Sequence, residues 1–250
     1  QQLFMADNDE NPEAMKEIIL PIRQDGAKAR SHGGSTMLIN GTRCSGMPYY
    51  YQSNPWQCIF ARKDMVGKFI PSLDVVNADN DACSKSYDKY LKDNNLDASK
   101  LTEADILKMD EALGASTKEM VRKAGDDRAL LYGGFAGGVR RLSPDKTIKN
   151  FFDGLSIVKW SNVRTDGAAA HGDNFCDTDI PLFRLGEIYL TRAEALYRLG
   201  DKQGALKDIQ KLQDRAHRIN IAQSVDLNYI LDEWCREFYL EGRRRSDLVR

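Results

Sequence analysis

The 250-residue sequence carries 36 Lys and Arg against 37 Asp and Glu, and this balance removes the electrostatic case for nucleic acid or an anionic membrane surface as a partner. With 42% hydrophobic residues it can bury a full core, yet it holds no apolar run near the roughly 20 residues that span a bilayer. Its five scattered cysteines, Cys44, Cys58, Cys83, Cys176 and Cys235, include no C-x-x-C pair and support neither a zinc ribbon nor a redox motif.

Gln1-Gln2 opens without Met and Arg250 stops inside a charged helical pattern, so the sequence is expected to be a piece of a longer chain. The first 80 residues are rich in Gly, Asn, Ser and Pro with short apolar runs such as Ile18-Ile19-Leu20 and Met37-Leu38-Ile39, which predicts brief strands and long loops. Helical spacing covers residues 60–72 and about 100–124, the latter opening at the N-cap Thr102 with Asp105 three residues on. Glycine-rich loop and short strand then run to about residue 180.

From Pro181, suited to the first turn of a helix, Leu185, Ile188, Tyr189, Ala193 and Leu196 mark one apolar helix face. Gly200 ends it, and Ala205, Ile209, Leu212 and Ala216 place a second stripe on an antiparallel partner, a hairpin resembling half of a tetratricopeptide repeat. Ile230, Leu231, Trp234 and Phe238 predict a third amphipathic helix to cover it. The fold class is therefore mainly α: residues 1–180 form a loop-rich segment with short strands, and 181–250 form the helical hairpin with its following helix. The charges Arg236, Glu237, Glu241, Arg243, Arg244, Arg245 and Asp247 read as a solvated helix surface laced by pairs such as Glu241 with Arg245.

Few chemical motifs survive inspection. The run Asp7-Asn8-Asp9-Glu10-Asn11 begins like an EF-hand calcium loop but fails at the sixth position, Pro12, and the twelfth, Ile18. Asp177 and Asp179 supply a second carboxylate pair before a helix, which leaves open a calcium site of another type or, more simply, a helix cap by Asp179. The glycines from Gly133 to Gly138 are followed by Val139-Arg140, not by the Lys and Ser or Thr of a phosphate loop. His32, His171 and His217 show no metal-ligand spacing, and no serine sits in G-x-S-x-G, so no enzyme is predicted.

The informative cluster is Pro48-Tyr49-Tyr50-Tyr51-Gln52-Ser53-Asn54-Pro55-Trp56, four aromatic residues in a loop region. Flat rings with Asn, Gln and Arg nearby suit a sugar, whose C–H face stacks on a ring while its hydroxyls take planar hydrogen bonds. Trp56, Tyr49, Tyr50 and Tyr51 are candidate platforms, with Asn54, His32 and Arg43 as neighbouring contacts. The alternative is that these rings plug a small core beneath the loop. Cys44 and Cys58 bracket the same loop, which leaves both a disulfide and two free thiols open.

Residues 4–13, Phe4-Met5-Ala6-Asp7-Asn8-Asp9-Glu10-Asn11-Pro12-Glu13, then Asp25-Gly26 and His32-Gly33-Gly34-Ser35-Thr36, resemble a characteristic stretch of the SusD/RagB family. Asp127-Arg128, Val158-Lys159-Trp160, the segment from Asp177 to Ala195 and the segment from Glu237 to Arg250 follow the family in the same order, with Trp234 where the family usually has Arg and His32 where it has Tyr. The resemblance implies a mainly α-helical, SusD-like fold and a lipid-anchored glycan-binding protein on the outer membrane. That protein would present oligosaccharides to a SusC-like TonB-dependent transporter. Starch-binding members carry an arc of aromatic residues, one of which Trp56 resembles by position, and a structural calcium, whose ligands Asp9, Asp177 and Asp179 resemble, with Asp7 as the alternative to Asp9. Peptide uptake, as in RagB-like members, an intracellular repeat scaffold and a hydrolase are the competing readings.

Overall fold

The computed structural model describes residues 2–44, 47, 54–70, 80–134, 154–172 and 174–249. Element order is α1 (Pro12–Met15), β1 (Ile18–Ile22), α2 (Gly34–Asn40), α3 (Lys63–Val66), α4 (Asn80–Asp93), α5 (Glu103–Ala112), α6 (Thr117–Ala124), β2 (Leu131–Tyr132), β3 (Ser156–Ile157), β4 (Ile180–Arg184), α7 (Leu185–Arg198), α8 (Lys202–Arg215), α9 (Leu227–Phe238) and α10 (Arg244–Val249). The chain is mainly helical, and among the described residues none of these helices is long and apolar enough to cross a membrane.

The helical hairpin forms where the apolar period predicts it. Asp201 caps α8 by accepting a hydrogen bond from the Gly204 N–H, and Gly200 adopts the left-handed conformation (φ +93°) that reverses the chain between α7 and α8. Ala205, Ile209, Leu212 and Ala216 are all buried, and Ile230, Trp234 and Phe238 of α9 close the same cluster. Burial of each large aliphatic side chain contributes about 1.5–3 kcal/mol.

The first helix differs from its prediction in two respects. Pro181 lies not in a first turn but in β4, which pairs antiparallel with β1 and sets Pro181 opposite Pro21. Neither proline has an N–H to give, and a two-stranded sheet, all edge, tolerates that. Helix α7 therefore starts four residues later. Its inward face is Gly186, Leu190 and Ala193, while Leu185 and Ile188 are exposed. The predicted span of 100–124 is two helices: Thr102 and Asp105 make a capping box for α5, and Gly114 turns the chain (φ +70°) before Ser116 caps α6. The predicted helix over 60–72 is short, with α3 continued by a turn to Phe69. Helix α4 had no clear sequence signal, being polar and charged through most of its length.

The largest correction concerns the charges near the carboxyl end. Arg236 and Glu237 are buried in α9 and the Glu241 side chain is nearly so, whereas a solvated face was expected. Glu237 Oε1 accepts from Arg184 Nη1 at 2.6 Å and from Arg215, and its Oε2 accepts from Arg128 Nη1 at 2.9 Å. Glu233 joins Arg128, Arg236 and Gln213, while Asp126 binds Arg128 and Arg218. The opposite charges come from β4, α8 and the loop after α6, so no single helix pattern reveals the pairing. Arg184, with a side chain only 1% exposed, uses all five guanidinium N–H groups: on Glu17, on the Glu237 carboxylate and carbonyl, and twice on Glu241. Gly186 makes room for this arrangement, because a Cβ there would lie 2.5 Å from Arg184 Nη1.

Three guanidinium groups hold the Glu237 carboxyl well below the usual range against the opposing effect of burial, and Arg128 with Arg236 lowers that of Glu233. Depressed carboxylate pKa values mean that the folded state binds fewer protons than the unfolded one. Stability from these groups is full above about pH 5 and falls as pH drops through their folded values. Glu237→Ala is expected to cost about 3–5 kcal/mol, because it leaves buried guanidinium groups uncompensated. Urea unfolding at pH 7 and at stepwise lower pH checks both statements: the variant should be less stable at neutral pH and lose less on acidification than the parent.

Candidate functional site

Helix α2 organises the surface on which the sequence candidates meet. Its amino-terminal loop carries His32, fixed by a turn in which Ser31 Oγ accepts from the Gly33 N–H. Its last residue, Asn40, accepts at its carbonyl from the Trp56 N–H at 2.8 Å, and Gly41 at the C-cap accepts from Cys58 and Ile59. From mid-helix, Thr36 Oγ1 accepts from the Cys176 N–H at 2.9 Å. Two segments distant in sequence, 56–59 and the one at Cys176, thus converge with the His32 loop on one short helix.

The side chains follow from this backbone. The His32 ring centroid lies 5.7 Å from that of Trp56 and 4.8 Å from that of Phe175, both pairs tilted. Trp56 and Phe175 are half-buried and His32 is exposed. Beside them, Asn54 Nδ2 donates to Asn174 Oδ1 at 3.0 Å, with both amides exposed. Rings flanked by amides can stack on an apolar sugar face and bond its hydroxyls. Phe175 and Asn174 were not singled out from the sequence, where only their place in a polar loop next to Asp177 marked them.

Not every candidate belongs to this surface. Tyr49, Tyr50 and Tyr51 lie outside the described residues. Arg43 departs from its expectation as a ligand contact. It is 2% exposed, and its guanidinium donates to the Ile157 carbonyl at 2.6 Å and to the Trp160 carbonyl, so it ties the loop after α2 to β3 from inside. Cys44 is buried and Cys58 is exposed, and no disulfide joins them.

The expected metal ligands are also redistributed. Asp7 is buried, with its carboxylate taken by the Thr165 N–H and hydroxyl. Asp9 and Asp179 face each other across Arg23, whose Nη1 donates to Asp9 at 3.1 Å and to Asp179 at 2.9 Å. Asp179 does not cap α7. It accepts instead from the Gln24 N–H at 2.7 Å, and burial raises its carboxyl pKa against the effect of those donors. Among the described residues, the metal-capable groups that do converge are Asp25, His171 and Asp177, with ligand atoms within 4.8 Å of one another. Asp177 is common to the expected and observed sets, whereas Asp25 and His171 were missed. Two carboxylates suit a calcium ion, which takes roughly six to eight oxygen ligands, while an imidazole does not. The fit is therefore partial, resting on Asp25 and Asp177.

Comparison with known proteins bears on the family and the fold. Residues 16–250 match the model of the SusD family. The chain is 52% identical over 252 residues to the starch-binding protein SusD of Bacteroides thetaiotaomicron, an alignment that covers 100% of this chain and 43% of that protein. A crystal structure of a SusD-like protein from Bacteroides fragilis superimposes with a TM-score of 0.54 at 18% identity, covering 96% of this chain and 43% of that one, and shares the fold. The chain thus spans less than half the length of these relatives.

His171 gives the loop a solution signature. Its Nδ1 lies 2.8 Å from Asp177 Oδ1, and the hydrogen bond and charge of that carboxylate raise the imidazole pKa above its ordinary value. The contact is fully made below the unfolded-state pKa and weakens as pH rises through the folded one. NMR titration in calcium-free buffer should show His171 protonating at higher pH than a free histidine, with Asp177→Asn returning it to the ordinary range.

Proposed function

Because the chain belongs to the SusD family, with a family match over residues 16–250 and a relative 52% identical across its full length, we propose that it serves in a cell-surface glycan-binding subunit. In this reading the subunit captures oligosaccharides and passes them to a SusC-like TonB-dependent transporter, on the outer face of an outer membrane to which a lipid anchors it. The observation that carries the reading is the Trp56 ring, half-buried against the exposed His32 and next to Asn54, in a chain so similar to a starch-binding protein. No group in the described surface is arranged as a nucleophile with its base, and the reading is of a binding protein, not an enzyme.

The affinity follows from the ring area. One sugar face on Trp56 removes about 60 Å² of apolar surface, worth roughly 1.5 kcal/mol at about 25 cal/mol per Å². After the entropy of association is subtracted, a few such contacts leave a Kd on the order of micromolar to millimolar. Titration calorimetry of the protein against an oligosaccharide panel that includes α-glucans should find binding in that range without product release. Trp56→Ala should bind about tenfold more weakly while its melting temperature stays close to the parent's. A stability loss of about 3–5 kcal/mol on that substitution would make the ring a core residue, and sustained product release would make the protein a hydrolase; either result removes the reading.

The reading also includes a structural calcium ion held by Asp177 with Asp25. The residues joining at that point are some 150 positions apart, so an ion there closes a long loop and stabilises the folded state by mass action. Chelation is expected to lower the melting temperature of the parent and to leave Asp177→Ala unaffected, as followed by thermal denaturation with and without calcium. Identical curves for the parent in chelator and in calcium would remove the ion.

A further inference from the structure

We propose that Phe175 and Asn174 form a second part of the glycan site, so that the ligand lies across Trp56, His32 and Phe175 with the Asn54 and Asn174 amides along its edge. This rests on the glycan-binding reading above and extends it to a loop 120 residues further along the chain.

The backbone around Phe175 is held by its neighbours. Exposure falls steadily from exposed Asn174 through half-buried Phe175 to buried Cys176. Cys176 enters a core cluster with Phe4, Ile39 and Trp160, and the Cys176 N–H is bound by Thr36. Cys176 is thus committed to the interior, while Phe175, in the bend just before it, stays partly open and meets the His32 ring. From the opposite side, the turn at Asp25-Gly26 packs directly on the Phe175 carbonyl. A Cβ at position 26 would sit 2.2 Å from that oxygen, so only glycine allows the approach, and the Gly26 N–H donates to Asp177 Oδ1 at 2.8 Å.

Phe4 and Trp160 show what this region does with aromatic residues that serve packing: their centroids are 4.7 Å apart and both are buried. Phe175, by contrast, is left half-open and meets the exposed imidazole of His32, itself next to Trp56. His32, in the loop before α2, bridges two apolar rings, Trp56 from the loop after α2 and Phe175 from the segment before β4. The hydrogen bond between Asn54 and Asn174 joins the same two loops and leaves each exposed amide with donors and acceptors still to offer. Apolar faces bordered by planar amides match a pyranose, which has C–H faces and a rim of hydroxyls.

The test compares Phe175→Ala, Phe175→Leu and Asn174→Ala with Trp56→Ala, each titrated calorimetrically with maltoheptaose and with the oligosaccharide of the panel that the parent binds best, and each melted in parallel. Phe175→Leu keeps apolar volume but cannot stack, so it guards against a loss of binding caused by unfolding. Phe175→Leu and Phe175→Ala are expected to weaken binding about tenfold and Asn174→Ala several-fold, with Phe175→Leu melting within a few degrees of the parent. If Trp56→Ala loses affinity while Phe175→Leu and Asn174→Ala bind like the parent, the second part of the site is refuted and the glycan-binding reading stands. If the parent binds no oligosaccharide, both are refuted together.

Discussion

The structure depends on the burial of Arg184. A guanidinium group with 1% exposure is tolerated only if every N–H finds an acceptor, and those acceptors come from Glu17 near the amino end, Glu237 in α9 and Glu241 beyond it. Removing several charges from water costs several kcal/mol for each ion, and complete coordination is what offsets the cost. Lys159 obeys the same rule. Its three donors reach the Glu237 and Tyr239 carbonyls and the Glu241 carboxylate, yet burial still pulls its pKa down to about 8. Such a network contributes little net stability compared with an apolar core, but it admits few alternatives, because any shift of one segment strands a charge belonging to another.

That constraint reaches the candidate site through the sheet. Arg184 is both the last residue of β4 and the residue before α7, so fixing its guanidinium fixes the strand. Pairing of β4 with β1 sets the start of the chain, and the residues just before β4, from Cys176 to Asp179, are then bound to Thr36, Ser161, Asn8 and Gln24. The outward Phe175 and the inward Cys176 are neighbours on that same run. A charge network in the helical part and a ring cluster in the loop-rich part are thus two ends of one covalent segment, residues 174–184.

What the sequence made legible follows the physics of each signal. The stripe Ala205, Ile209, Leu212 and Ala216 could be read because a solvated helix face and a buried one differ in composition at a fixed period, and the capping box at Thr102 because its partners are three residues apart. The burial of Arg236 and Glu237 could not, since charged residues on a helix look the same whether their partners are water or guanidinium groups arriving from distant segments. Pro181 misled for a related reason: proline fits both a helix start and an edge strand, and only the pairing with Pro21 decides between them. In the candidate site Trp56 and Asn54 were proposed from residue type and His32 from its position in the family resemblance, whereas Phe175 needed the fold. A lone phenylalanine in a polar loop becomes informative only when its neighbour Cys176 is seen to be buried. Arg43 was misassigned because an arginine near aromatic residues suggests a ligand contact, while two carbonyls of the segment 157–160 claim it from within.

The way the rings are held also bears on how such a surface can bind weakly and still select. Trp56 is bound at its N–H by the Asn40 carbonyl, His32 lies between the partners of the turn from Ser31 to Gly33, and Phe175 precedes the Cys176 N–H that Thr36 accepts. Backbone held in this way leaves less loop freedom to be lost under the proposed binding of a sugar. Selectivity would then come from geometry, since tilted rings with amides at their edge favour a ligand whose apolar faces fall at the same angles. Under the proposed reading a few ring faces keep the total binding energy small, and a ligand so held would dissociate readily, which suits capture followed by release.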